Sequence, residues 1–158
     1  MKKKPMPIGI EEFKEIIDKD FMYIDKTLAI KEILANGAKV TLFTRPRRFG
    51  KTLFQKMLQT FFEDERKFIK KGTFEKIDNR RYFEGLKIMN AGEKYMQHQG
   101  KYPVVFLSLK SAKQPNYRLA FKCLKDEITK EYMRNMYILE SETLLDVKKE
   151  RKVYECYK

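Results

Sequence analysis

A short basic stretch between two apolar segments carries the residue types that bind phosphate. It reads Arg45-Pro46-Arg47-Arg48-Phe49-Gly50-Lys51-Thr52. In a nucleotide-binding phosphate loop, glycine lets the backbone approach the anion, lysine reaches the terminal phosphates, and a Ser or Thr hydroxyl binds Mg²⁺. Gly50, Lys51 and Thr52 supply these roles in the usual order. The spacing therefore predicts a site for ATP or a similar nucleotide, with Thr52 as the metal ligand.

The stretch departs from the general pattern at its first position, where Arg45 replaces glycine. Arginine does not enter the left-handed region as freely as glycine, but guanidinium groups pair well with phosphate oxygens. The predicted nucleotide-binding residues are therefore Arg45, Arg47, Arg48, Phe49, Gly50, Lys51 and Thr52. A Gly-Lys-Thr tripeptide alone is common, and an arginine-rich turn is equally compatible with a solvated loop or a nucleic-acid contact. The elements on either side of the stretch must therefore distinguish a phosphate loop from these two alternatives.

The segments around the loop predict the strand-to-helix context that a phosphate loop needs. Residues 40–43, Val-Thr-Leu-Phe, form a short run rich in β-branched and aromatic side chains, which is typical of a buried strand. After the loop, apolar residues recur at helical spacing, namely Leu53, Phe54, Met57, Leu58 and Phe61. This context favours a phosphate loop over the alternatives.

Apolar spacing predicts three further helices. The first covers residues 9–17, and the third runs from 117 to about 135. The second follows Asp25 and Thr27, either of which is a possible N-cap, and Gly37 is well placed to end it. The last stretch, from 140 onward, is charged and helical in composition.

A second strand completes a β, α, β, α order. Residues 104–109 form a nearly continuous apolar run, typical of a strand covered on both faces. A lysine-rich connector at 63–81 contains turn residues and indicates a small helix or an excursion. We therefore predict an α/β fold: an incomplete three-layer domain of the P-loop NTPase type with parallel strands. A single domain is expected over residues 1–158, with an N-terminal helical segment at 1–38 and a partial core at 39–158.

The composition is typical of a soluble globular protein. Hydrophobic residues make up 42% and charged residues 36% of the 158 residues, and no apolar run approaches the ~20 residues that cross a bilayer. The basic start lacks the long apolar segment of a signal peptide. Cys123 and Cys156 match no metal or redox spacing, and the single histidine, His98, has no companions for a zinc site or a catalytic triad. These features predict a cytoplasmic protein without a membrane span.

Several motifs, taken together, resemble the bacterial AAA-ATPase-like family. They are Pro7-Ile8-Gly9 with Phe13, then Tyr23-Ile24-Asp25-Lys26-Thr27, the run from Thr41 to Thr52, Phe83-Glu84-Gly85-Leu86-Lys87-Ile88, and the run from Gln99 to Leu109. The resemblance implies that Arg-Pro-Arg-Arg-Phe-Gly-Lys is the normal form of this loop and that ATP with Mg²⁺ is the ligand. It also implies a longer protein, often with a C-terminal region resembling the PD-(D/E)XK nucleases.

The acidic strand that ATP hydrolysis requires is not recognisable in the sequence. Such a strand ends in a carboxylate that holds the metal's water shell, but the run 104–109 is followed by Lys110. Asp25 and Asp146 are weak substitutes. Asp25 is better explained as a helix cap within the Tyr-x-Asp-Lys-Thr segment, which the resemblance implies lies near the base or ribose of the nucleotide, and Asp146 as a surface acid. The chain is therefore expected to be the N-terminal part of a longer ATPase, and the sequence leaves its own hydrolytic activity open.

Two other functions remain compatible with the sequence. A remnant or interaction fragment would need a missing C-terminal half or another chain to cover its incomplete sheet. Sequence-independent nucleic-acid binding would use the net charge of +13 and the lysines at 67, 70, 71 and 76. Against it, aromatic residues are not interleaved with these lysines in a recognisable stacking platform. Nucleotide binding ranks first.

Overall fold

The structure is a computed structural model that describes residues 4–70 and 73–140. The described residues fall into two compact units. The first comprises 4–65 and 78–102, and the second comprises 66–70, 73–77 and 103–140. Within the described ranges, no helix combines the length and apolar character needed to cross a bilayer.

The first unit is helical. Its α-helices are α1 (Phe13–Asp18), α2 (Leu28–Asn36), α3 (Lys51–Phe62) and a short α4 (Glu93–Met96). Two 3₁₀ turns, Arg80–Phe83 and Lys87–Asn90, come between α3 and α4. Gly37 ends α2 as predicted, because its left-handed backbone (φ 59°) lets its N–H reach the Ile33 carbonyl.

Aromatic side chains join the helices of this unit into one core. Phe83 lies between Phe13 of α1 and Phe61 of α3, with ring centroids 5.3 Å from each. All three side chains are fully buried, as are Ile30 of α2 and Met57 of α3. The core therefore fixes α3, the helix that follows the predicted phosphate loop, against α1 and the 3₁₀ turns.

A polar tie holds the segment before α2 against the second 3₁₀ turn. Thr27 is fully buried, and its hydroxyl donates to Asp25 Oδ1 (2.7 Å) while accepting the Ile88 N–H (3.1 Å). Asp25 Oδ2 accepts the Lys87 N–H at 2.8 Å. Neither side chain caps α2 by a side-chain hydrogen bond, although Thr27 occupies the N-cap position. These two residues therefore connect distant segments instead of capping the helix.

The second unit contains a β-hairpin and a long helix. Strands β1 (Arg66–Lys70) and β2 (Thr73–Lys76) pair antiparallel, with Phe68 opposite Phe74. Helix α5 (Tyr117–Arg134) begins where the Asn116 side chain accepts the Leu119 N–H at 3.0 Å, and α6 (Tyr137–Glu140) follows it. The predicted helix at 117–135 is confirmed, and the predicted excursion at 63–81 is this hairpin.

The two predicted strands are not formed. In the described part of the chain, the sheet is the two-stranded antiparallel hairpin, and the predicted parallel sheet is not formed. Residues 40–43 are extended but solvent-exposed, with Val40 85% and Leu42 83% exposed. An apolar run becomes a strand only where a neighbouring strand supplies hydrogen bonds. The fold of the described residues is thus mixed helix and strand, with helix dominant.

The segment 104–109 shows what replaces a strand partner. The Val104 carbonyl accepts from Arg134 (2.6 Å) and the Phe106 N–H donates to Glu131 Oε2 (2.9 Å). Side chains of α5 therefore satisfy backbone groups that a neighbouring strand would otherwise pair. The predicted terminal helix beyond residue 140 and Asp146 lie outside the described residues.

Candidate functional site

The predicted phosphate loop leads directly into α3. Gly50 is the residue before the helix, in the left-handed region (φ 70°), and its carbonyl accepts the Phe54 N–H at 2.9 Å. Apolar residues on one side of α3 bury against the core, whereas Lys51 on its first turn is exposed and Thr52 is half-buried. The helix therefore presents Gly50, Lys51 and Thr52 together at its N-terminal end, where backbone N–H groups are unpaired.

Left-handed backbone occurs in this loop at Arg48 and Gly50. Arg48 has φ 65°, which costs a non-glycine residue about 1–2 kcal/mol. Left-handed residues between right-handed neighbours turn successive N–H groups inward, which makes an anion-binding concavity. Arg45 does not have a positive φ. The general motif's first glycine is therefore not needed for the conformation that this loop adopts.

The Lys51 ammonium turns back over the loop. Its Nζ donates to the Arg45 carbonyl at 2.5 Å and lies 3.5 Å from the Pro46 carbonyl. These oxygens belong to the start of the same loop, and within the ranges that the structure describes the Lys51 charge has no carboxylate partner. An ammonium in this position can exchange its carbonyl partners for phosphate oxygens.

The loop's arginines are solvent-exposed. Within the described residues, Arg45, Arg47 and Arg48 have no salt-bridge partner. Phe49 between them and Gly50 is 60% exposed. Three unpaired guanidinium groups around a cationic helix end produce a local positive field, which attracts polyanions.

A second lysine, which the sequence patterns did not single out as a site residue, lies beside this loop. A Cβ built on Gly50 would stand 4.0 Å from Lys26 Nζ. Lys26 comes from the segment that Asp25 and Thr27 tie to the second 3₁₀ turn. The sequence signal was the Tyr23-Ile24-Asp25-Lys26-Thr27 motif, but the contact with Gly50 depends on tertiary packing.

The family comparison identifies the protein group in which this loop occurs. A family model described as "Predicted AAA-ATPase" matches residues 7–156, nearly the whole chain. The chain belongs to the AAA-ATPase-like family. The match includes the loop, Lys26 and both described units of this AAA-ATPase-like chain.

One curated relative of this AAA-ATPase-like chain extends far beyond the aligned region. An uncharacterized protein in the vnfD 5′ region of Azotobacter chroococcum mcd 1 is 41% identical over 63 residues, which are 39% of this chain and 12% of the relative. No solved structure matches the chain. The sequence alignment covers only a small share of the longer relative, so that relative's whole-protein properties do not transfer directly.

In this AAA-ATPase-like chain, the Asp25 carboxylate is occupied by hydrogen bonds from Thr27 and Lys87. Burial alone would raise its pKa, but hydrogen bonds from Lys87 and Thr27, with the Lys87 charge, outweigh burial and hold the pKa below its ordinary 3.8. Both carboxylate oxygens accept hydrogen bonds. Asp25 therefore has a structural role, which is to connect two segments of the chain, and its carboxylate is not positioned as an acid for ATP hydrolysis.

The depressed pKa of Asp25 predicts an acid-dependent loss of stability. The ionised form is favoured by folding, so its contribution is fully present above pH 3.8 and is lost as pH falls through the lower folded-state pKa. Asp25→Asn should therefore be less stable than the parent near pH 7, with the gap narrowing below about pH 4. Urea unfolding across this pH range measures it, with Asp126→Asn as the control for lost charge. A gap that stays constant down to acid pH would contradict this assignment.

Proposed function

We propose that the chain binds ATP, with Mg²⁺, through the loop 45–52. The observation that carries the proposal is the position of Lys51: its ammonium lies over the loop carbonyls of Arg45 and Pro46, at the first turn of a 12-residue helix. The left-handed backbone at Gly50 permits close approach of an anion there. Membership in the AAA-ATPase-like family supports a nucleotide as the ligand class.

Each predicted residue has a proposed role. Lys51 contacts the β- and γ-phosphates, the N–H groups around Phe49 and Gly50 cradle them, and the Thr52 hydroxyl is a ligand to Mg²⁺. Arg45, Arg47 and Arg48 contribute supporting positive charge. The proposal treats this loop as the phosphate loop of a P-loop NTPase-like domain.

The Thr52 hydroxyl is the one protein ligand proposed for magnesium at this loop. Mg²⁺ keeps several waters and commonly takes the rest of its ligands from substrate phosphates. Thr52 is half-buried on the first turn of α3, next to Lys51. Among the described residues, no cluster of three or more His, Cys, Asp or Glu side chains offers an alternative metal site. The metal is therefore proposed to enter with the nucleotide.

Binding, and not hydrolysis, is the activity proposed for the described residues. Hydrolysis needs a carboxylate near the metal and a group that orients water. Asp25 is committed to Thr27 and Lys87, and the apolar segment 104–109 is followed by Lys110. Any turnover would therefore require acids that the described residues do not place at the loop.

Calorimetric titration of the folded chain with Mg-ATP tests the proposal. We expect saturable binding near one nucleotide per chain at about 0.15 M salt, because the lysine and the backbone cradle contact phosphate directly. A mixed-sequence oligonucleotide in a parallel titration separates nucleotide binding from general attraction to the +13 charge. No heat with Mg-ATP, together with strongly salt-dependent oligonucleotide binding, would replace the proposal by nucleic-acid binding.

A further inference from the structure

The hairpin of the second unit concentrates positive charge. Its two strands contain four basic residues and one acidic residue, Glu75, in nine positions. Helix α5 of the same unit has five basic and three acidic residues in eighteen positions. Lys67 and Lys70 are exposed, and neither has a salt-bridge partner among the described residues. The hairpin is therefore the element of this unit that attracts a polyanion most strongly.

Strand pairing places an exposed aromatic ring among these charges. Phe68 of β1 lies opposite Phe74 of β2, with ring centroids 5.6 Å apart. Phe74 is half-buried and also contacts the buried Tyr137 ring, at 6.3 Å. Phe68 is 57% exposed. Phe74 therefore supports the Phe68 ring from one side, while more than half of Phe68 stays open to solvent.

The charges lie close to this ring along the strand. Lys67 and Lys70 are one and two positions from Phe68 in β1, which corresponds to roughly 3 and 7 Å along a strand. The order of residues alone shows no stacking platform, because the support that Phe68 receives from Phe74 depends on the antiparallel register.

An exposed flat ring beside lysines matches the chemistry of an unpaired nucleotide strand. Single strands offer phosphates to basic side chains and base faces to aromatic rings. In a duplex the base faces are covered by neighbouring base pairs, so the Phe68 ring would find no stacking partner. An acidic protein surface would satisfy the lysines but would not specifically require a flat ring. Charge and ring together favour a single strand.

We propose that the hairpin formed by β1 and β2 binds single-stranded nucleic acid, with a base stacked on Phe68 and phosphates at Lys67 and Lys70. The residues that carry this proposal all belong to the second unit, so it does not rest on nucleotide binding at loop 45–52. Stacking uses a face that every base possesses, and it therefore predicts weak dependence on sequence.

Fluorescence anisotropy with labelled strands tests the aromatic contact. The probes are oligodeoxythymidine, oligouridine and a mixed-sequence duplex, each of about 20 nucleotides, which exceeds common single-strand site sizes. Phe68→Leu keeps an apolar strand residue but removes the flat ring, so we expect about tenfold weaker binding of single strands. Phe68→Tyr, which keeps a ring, should bind within about twofold of the parent. Binding of either single strand supports the proposal, and the stronger one identifies the natural source.

The matched control for the ring is Phe121→Leu on α5. Phe121 is 55% exposed and, like Phe68, contacts one neighbouring ring at its side, here Tyr117 at 5.9 Å. Its loss should change strand affinity by less than about twofold. Circular dichroism of each variant checks that it is folded.

Salt dependence tests the lysine contacts separately. Lys67→Ala with Lys70→Ala should reduce the slope of log affinity against log salt by about 1.4, since each phosphate contact on a single strand contributes about 0.7. Lys122→Ala with Lys125→Ala removes equal charge from exposed positions of α5 and should change the slope by less than about 0.5. Phe68→Leu should leave the slope unchanged, because stacking releases no counterions.

Four results would overturn the hairpin site. They are no strand binding by the folded parent, tighter binding of the duplex than of single strands, equal losses in the hairpin and α5 variants, and a loss with Lys51→Ala as large as that with Phe68→Leu. The last would place the strand on loop 45–52 instead. Failure of the Mg-ATP titration leaves this test unchanged, so the two proposals can fail independently.

Discussion

Lys51→Ala is expected to weaken Mg-ATP binding by roughly a hundredfold or more, because it removes the proposed charge-assisted contact to the terminal phosphates. The Lys51 ammonium lies over the loop, bonded to the Arg45 and Pro46 carbonyls, and no carboxylate of the described residues pairs with it to compete with phosphate. The side chain is exposed at the start of α3. The substitution should therefore leave the free energy of unfolding within about 0.5 kcal/mol of the parent. Calorimetry and urea unfolding measure the two effects separately.

Lys39→Ala is the matched control for this substitution. Lys39 is also an exposed lysine of the first unit and lies outside the loop, so its loss changes the net charge equally. Mg-ATP affinity within about twofold of the parent is expected for Lys39→Ala at about 0.15 M salt, where distant exposed charges are screened. Equal weakening by both substitutions would mean that general positive charge, and not a phosphate loop, attracts the nucleotide.

Sequence patterns located the helices because their signals are local. Apolar spacing and a terminal glycine define α2 and its end at Gly37, and the same spacing defines α3 and α5. The two strand predictions were wrong because strand formation depends on pairing with a neighbouring segment, which local sequence does not specify. The apolar run at 104–109 carries the composition of a buried strand, yet in this unit Glu131 and Arg134 of α5 satisfy its backbone groups. Composition indicates that a segment is compatible with a strand, whereas strand formation depends on whether another strand lies beside it to supply backbone hydrogen bonds.

The same difference between local and tertiary signals explains which residues of the candidate site were predicted. The contiguous residues from Arg45 to Thr52 were predicted from one motif, and the structure places Gly50, Lys51 and Thr52 together at the start of α3. Lys26 was not among the predicted site residues, because the chain must fold before residues 6–8 and 22–26 meet Gly50. The Asp25 and Thr27 hydrogen bonds to the second 3₁₀ turn hold this segment in place.

The arginine at the loop's first position also has a structural explanation. A glycine is required only where the backbone enters the left-handed region, and here that occurs at Arg48 and Gly50, not at Arg45. Arg45 instead contributes its carbonyl to Lys51 and an exposed guanidinium to the loop. The strain at Arg48 is modest, about 1–2 kcal/mol, and a phosphate bound by backbone N–H groups of the loop would offset it.

Phe83→Ala is expected to destabilise the first unit by about 3–5 kcal/mol, the usual cost of removing a fully buried phenyl ring. Phe83 is completely buried, and its ring packs at 5.3 Å against both Phe13 of α1 and Phe61 of α3. Its loss therefore opens a cavity between α1 and α3, the helix that begins at the predicted phosphate loop. Urea unfolding followed by circular dichroism measures the change. Since single domains are commonly stable by only about 5–15 kcal/mol, a partly unfolded population is expected at 37 °C.

A matched phenylalanine shows whether burial causes this effect. Phe121 on α5 is 55% exposed, so Phe121→Ala should cost less than about 1 kcal/mol. Saturating Mg-ATP should partly restore the unfolding midpoint of Phe83→Ala, because a ligand of the folded state stabilises it by mass action, but should leave that of Lys51→Ala unchanged. If Phe83→Ala costs no more than Phe121→Ala, the aromatic core does not hold α3, and the loop's position must depend on the Asp25 and Thr27 tie instead.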